Sequence, residues 1–358
     1  MFVVIRLLIT PDRVRLWLAY LTLSDMGVLR SITLGSRLIG APLLSYPAML
    51  NDDLAAQVNW LNTRMTLAHF VACRDWLDDD PVTTLLIAAV LDANVQHIDQ
   101  RATEMKKFQF AGQVPDSLRR PANFLSIAAS IGVPRETARA RLLGLVERGL
   151  FHLSDNGGVL LRREVIVGDY VSVAAKHLNV ALVEFVEAMK RIEGAGLSPE
   201  HRLHDPIDDC GGIVGRLGAS HILRSARLAS EVAPKLRFIS RLVMLSVSYL
   251  TGADFHLCSD PLKAAGGLNP IDPNLDPVSG TEVARHIRLP EETVRRHLLS
   301  LTRLGVLERT AKGYKMAFQN PHHVEAWVRY QKGVRVSVDQ FLWKLQLGGV
   351  IIPPVTRI

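Results

Sequence analysis

The feature that most constrains this chain is that part of it is written twice. An offset of 156 positions carries PRETARARLLGLVERGLFHL, which begins at Pro134, onto PEETVRRHLLSLTRLGVLER, which begins at Pro290. Over Ile131–Phe151 against Ile287–Leu307, 9 of 21 positions are identical. The same offset carries LNVALVEF (Leu178–Phe185) onto VRVSVDQF (Val334–Phe341), and the apolar run at Leu86 onto the one at Leu242. One offset that serves three separated segments indicates duplication of a whole folding unit, so the chain is limited to folds that can be built twice.

Both copies read in the same order. An apolar helix comes first, VTTLLIAAVLDANV in one and RLVMLSVSYLTGA in the other. A breaker-rich loop follows, QFAGQVPDSLRRP or PLKAAGGLNPIDPNLDPVSG, too dense in Pro, Gly, Asp and Asn for a regular element. Two helices about a short turn, a β-hairpin and a closing helix complete each copy. Residues 1–80 are helically patterned, most clearly over Leu54–Leu77, where apolar residues recur at three- and four-residue spacing. The irregular mix of Gly, Asp, Pro and His over 192–219 reads as a linker. The expected division is a helical region at 1–80, a first unit at 81–191, the linker, and a second unit at 220–358.

The second copy predicts its elements in detail. Thr281 caps the short helix TEVARHI. Pro290 sits where a helix starts without losing a needed N–H, and Glu291 and Glu292 occupy the first turn, where the helix dipole favours carboxylates. Val294, Leu298 and Leu301 form the buried stripe; Glu292, Thr293, Arg296, Ser300 and Arg303 fall opposite, with Arg295 at the flank. Gly305 ends the helix, and VLERTAKGYKMAF reads as two strands about a Lys-Gly tip.

Helix, tight turn, helix and hairpin form a winged helix-turn-helix. The pattern P-x-E-T-x-R-x-x-L-L-x-L-x-x-x-G, present in both copies, resembles the recognition helix of bacterial winged-helix transcriptional regulators. It is met by Pro134, Glu136, Thr137, Arg139, Leu142, Leu143, Leu145 and Gly149 in the first copy. The resemblance implies a mainly α protein with tandem duplicated winged helix-turn-helix domains and additional core helices, binding double-stranded DNA. Thr293, Arg295 and Arg296, with Ser300 on the same face, would then enter the major groove, where Arg pairs with guanine and Thr touches a thymine methyl. Lys312 and Lys315 would be the wing, reaching phosphates. Thr137, Arg139 and Arg141, with Arg135, are the first copy's counterparts, and Arg119 and Arg120 are candidates for backbone contacts. The copies are unequal, since Ala140 stands where Arg296 does, Gly144 where Ser300 does, and the first tip, SDNGG, is acidic.

Charge location agrees with this reading. The chain carries a formal charge of +7, and residues 101–164 hold 11 Lys/Arg against 6 Asp/Glu, while 281–335 hold 11 against 5. The excess of positive charge therefore lies in the two motif regions, as a phosphate-binding surface requires. Two other readings share the fold. A tandem winged-helix replication initiator would use the same contacts at repeated origin sites. A protein-interaction scaffold of the chromosome-segregation type would use the units to bind protein.

Several classes find no support. No G-x-S-x-G, Walker loop, H-E-x-x-H or pair of carboxylates points to catalysis, so neither enzyme activity nor a cofactor is expected. Cys73, Cys210 and Cys258 are scattered and odd in number, which argues against a disulfide framework and for a reducing cytoplasm. The clusters His201, His204, Asp205, Cys210 and Asp254, His256, Cys258 match no standard metal spacing. The apolar start, FVVIRLLIT, is short and interrupted by Arg6, so neither a signal peptide nor a membrane span is expected. The apolar helices with Trp60, Trp76, Met244 and Tyr249 are read as core, with a homodimer interface or a small-molecule effector pocket as their alternative use.

Overall fold

A computed structural model describes residues 53–77, 81–110, 113–234, 236–251 and 275–354. The protein is mainly helical. The first repeat begins with a 25-residue helix, α1 (Asp53–Leu77), followed by α2 (Pro81–Val95) and the short α3 (Ala102–Lys107). Next come α4 (Phe124–Ile131), α5 (Arg135–Glu147), the hairpin β1 (Phe151–Leu153) and β2 (Val159–Leu161), α6 (Arg163–Val167) and the long α7 (Asp169–Met189). A short strand β3 (Arg202–Leu203) precedes α8 (Gly211–Val232) and α9 (Phe238–Thr251). The second repeat continues with α10 (Gly280–His286), α11 (Glu291–Arg303), β4 (Leu307–Arg309) and β5 (Tyr314–Met316). The 28-residue α12 (Pro321–Gly348) and β6 (Ile351–Ile352) close the chain.

The offset of 156 maps this order onto itself. Helix α5 falls residue for residue on α11, and β1 on β4. The bridge between Ala122 and Val159 has its counterpart in the bridge between Val278 and Tyr314, so each hairpin gains a third short strand ahead of its first helix. The mapping also reaches further back than the sequence motifs suggested, because α1 lands on α8. Residues 211–219, expected as linker, are thus the first turns of α8. Only the segment before them is irregular, and it is held by β3, which pairs antiparallel with β6 at the end of the chain. Most of the second copy's breaker-rich loop, through residue 274, lies outside the described residues, as do Asp254, His256 and Cys258.

The helix starts follow capping chemistry. Asn123 caps α4, its side chain accepting from the Ser126 N–H at 2.7 Å. Its repeat counterpart Ser279 caps α10, accepting from the Glu282 N–H at 3.1 Å while Glu282 accepts from the Ser279 N–H at 2.9 Å. This reciprocal capping box, rather than Thr281, starts the helix. Gly149 (φ 77°) and Gly305 (φ 69°) take the left-handed conformation just past α5 and α11, as a glycine at that position does.

Packing joins the repeats rather than separating them. The described residues belong to one compact unit, Met49–Ile358, with one principal core. Within each repeat the long helices pair, α1 with α7 and α8 with α12. Across repeats, α8 packs on α2 and α1 packs on α9. Trp60 and Arg216 occupy equivalent positions and do this job with different chemistry. Trp60 donates to the Tyr249 carbonyl at 3.1 Å and stacks on that ring, 5.0 Å between centroids. Arg216, 5% exposed, forks onto Asp99 at 2.9–3.1 Å and donates to the Phe108 carbonyl at 2.7 Å. Satisfied on all sides, that buried pair escapes the penalty of an unpaired interior charge.

Candidate nucleic-acid interface

Helix α11 divides cleanly. Val294, Leu298 and Leu301 are fully buried in the core, as the stripe predicts. Arg295, Arg296 and Arg303 are exposed, and Thr293 and Ser300 are half-buried at its margins. Two of these arginines are tied down within the helix. Arg295 reaches Glu292 with two bonds of 2.7 and 2.9 Å, and Arg296 reaches the same carboxylate at 2.8 Å. Hydrogen bonds from Arg295 and then Arg296 pull the Glu292 carboxyl down to about 2. The trio is one net positive charge held in a fixed fan on the solvent side. Because the pairs are open to water, they contribute little to stability and can open at low cost.

The second hairpin is built around a required glycine. Gly313 has φ 151°, and a Cβ there would meet the Val278 carbonyl oxygen at 2.3 Å. Thr310 Oγ1 accepts from the Lys312 and Gly313 N–H groups at 3.2 Å, closing the tip. Lys312 projects into solvent, as does Arg309 on β4. Lys315 does not stand free at the tip. It is half-buried beside its cross-strand partner Glu308, 3.9 Å away. Arg309 was missed in the sequence reading, because strand alternation puts it on the face of buried Leu307; its place at the end of β4, next to the tip, leaves it exposed.

The first copy keeps the frame and changes the surface. Ala138, Leu142 and Leu145 are the buried stripe of α5. Arg135, Thr137 and Arg139 are exposed, and Arg135 and Arg139 make no ion pair among the described residues. Arg141 departs from expectation. It is half-buried, and its guanidinium donates to Thr83 Oγ1 of α2 at 3.4 Å, so it braces the head internally. Its counterpart His297 does the same, meeting Ser240 Oγ of α9 at 2.8 Å.

Arg119 is also a correction. It is 5% exposed, donating to the Leu161 carbonyl and, at 2.5 Å, to Asp116. It ties the incoming loop to β2 and cannot reach a ligand backbone. Arg120 is exposed, and its backbone is fixed by buried Asn94, which accepts and donates across α2, the loop and β2. The first tip carries Asp155 and no cation, and Asn156 Oδ1 accepts from the Gly158 N–H at 3.2 Å to close it.

The two loose His/Cys groupings do not gain a metal-like geometry where they are described. His201 Nδ1 is taken up by Ser198, 3.0 Å from its N–H, and Cys210 is buried. Among the described residues no three His, Cys, Asp or Glu side chains converge, and no helix is long and apolar enough to cross a membrane. Comparison of the chain with family models, with curated proteins and with solved structures finds no match in any of the three.

Proposed function

We propose that this protein is a sequence-specific double-stranded DNA-binding transcriptional regulator that acts through two winged-helix units. The observation that carries the reading is the solvent face of α11, where Arg295 and Arg296 stand exposed, together with the exposed Arg309 and Lys312 at the hairpin that follows it. A helix supported from behind by a buried stripe and presenting guanidinium groups outward has the chemistry for the major groove, and the tip that for phosphate. The Glu292 fan holds both arginines ready, and groove acceptors can replace its carboxylate oxygens one for one. Helix α5 offers Thr137, Arg135 and Arg139 without that second arginine or a basic tip, so the first unit is the weaker reader. The protein acts by binding, with no chemical step.

The test is duplex binding by the full chain as salt is raised. A reader should lose affinity with a log–log slope of about −0.9 per phosphate contact. On a selected site, Arg296→Ala is expected to cost about 1–3 kcal/mol, more than Arg139→Ala. No binding of random or selected duplex at low salt would overturn the reading. Equal losses in the two variants would overturn the inequality between the units.

A further inference from the structure

We infer that the two helix–helix–hairpin heads are related by an approximate two-fold axis, and that they therefore read inverted, unequal half-sites rather than direct repeats. The inference rests on the DNA-binding reading for its ligand and on packing for its geometry. Two copies of a unit within one chain can be arranged in two ways. In a head-to-tail arrangement, a surface of the first copy meets a different surface of the second, and the reverse contact is missing. In an isologous arrangement every cross-contact occurs twice, once in each direction.

The cross-contacts among the long helices are reciprocal. Helix α8 of the second repeat packs on α2 of the first, and α1 of the first packs on α9 of the second, its image. Helix α1 packs on α12, and α8 packs on α7. Helices α2 and α9, images of each other, are also in contact, which is the pairing expected beside an axis. At side-chain level the equivalent positions Trp60 and Arg216 each leave their own repeat to anchor on the opposite one, at Tyr249 of α9 and at Asp99 just after α2. Exchanging the two repeats therefore maps the contacts among these long helices onto one another, the behaviour of a two-fold and not of a translation; the further contact of α8 with α4 is not matched equally by α1 with α10, which makes the symmetry approximate.

This symmetry limits the nucleic acid that both heads can share. A duplex has its own two-fold axes perpendicular to its length, and a two-fold pair of recognition helices matches a duplex by placing one on the other. The half-sites then run in opposite directions. They are not copies of each other, because α5 has Ala140 and Gly144 where α11 has Arg296 and Ser300, and because only the second tip is basic. The covalent chain thus presents what a symmetric dimer presents, with one half altered.

The experiment is selection of bound sequences from a random duplex library with the full chain. It is followed by titration against three duplexes holding the selected half-sites inverted, directly repeated or singly. The inverted duplex is expected to bind at least tenfold tighter than the single half-site, and the direct repeat no tighter than the single. Selection with Arg296→Ala, an exposed change, should erase one half of the motif and leave the other. A direct repeat bound as tightly as the inverted pair, or a selected motif of one half-site only, would overturn the inference while leaving DNA binding intact. No retained DNA at low salt would overturn the DNA-binding reading and this inference with it.

Discussion

At the scale of residues, polar groups with the same sequence appearance have opposite fates. Arg295 and Arg296 lie outside on a shared carboxylate, whereas Arg119 and Arg216 lie inside on carbonyl and carboxylate acceptors. Helical phase identified the first pair, because α11 is amphipathic. No periodicity marks Arg119, which sits in a loop, so its burial was not legible. His221 shows what the interior does to a titrating group. Its Nε2 meets Asn62 Oδ1 at 2.6 Å, its Nδ1 meets Ser337 Oγ at 3.2 Å, and its ring stacks on Phe341 with centroids 4.5 Å apart. Asn62 Oδ1 can only accept, so Nε2 carries the proton, and the neutral ring is satisfied at both nitrogens when Ser337 donates. Burial, and then the charge of Arg224, lower its pKa from 6.5 to about 3. A depressed histidine contributes stability that is complete above 6.5 and is lost as pH falls toward about 3. The thermal midpoint should therefore drop between about pH 7 and pH 5, with a shallower drop in His221→Gln. Identical slopes in the two proteins would show that another group titrates.

At the scale of elements, the repeat imposes two frames of one design. Caps at Asn123 and Ser279, buried stripes on α5 and α11, and left-handed glycines at 149 and 305 recur at matching positions. These devices are local, which is why the order of helices and hairpins was legible in the sequence. The cap at Ser279 rather than Thr281 was a matter of two residues, decided by which hydroxyl reaches the Glu282 N–H. The hairpins differ in why they need glycine. Gly313 is confined by the Val278 carbonyl, whereas Gly157 (φ 76°) has open space about it. Gly157→Ala should cost about 1 kcal/mol from its left-handed backbone alone. Gly313→Ala must in addition move backbone, so its loss in urea unfolding should be the larger. Equal losses would mean that contact with Val278 is not what requires the glycine.

At the scale of the whole molecule, neither repeat is a finished domain. The buried face of α8 is completed by α2 and α4 of the other repeat as well as by α12 of its own, and α1 depends in the same way on α9 and α12. A fragment of residues 200–354 alone should leave those faces uncovered and lose cooperative unfolding. Adding a separate fragment of residues 49–199 should restore it. A lone fragment that unfolds cooperatively near the full-length midpoint would contradict this account of the packing.

Sequence by itself determined the duplication, the element order within each copy, the buried stripes and the unequal basic surfaces, because these depend on local periodicity, capping and composition. The tertiary structure alone decided that α1 and α8 belong to the repeats, that Arg119 and Arg141 brace the heads, and that the copies are packed crosswise and reciprocally. Those outcomes depend on which apolar face meets which, and a face carries no label of its partner until the chain has closed around one core.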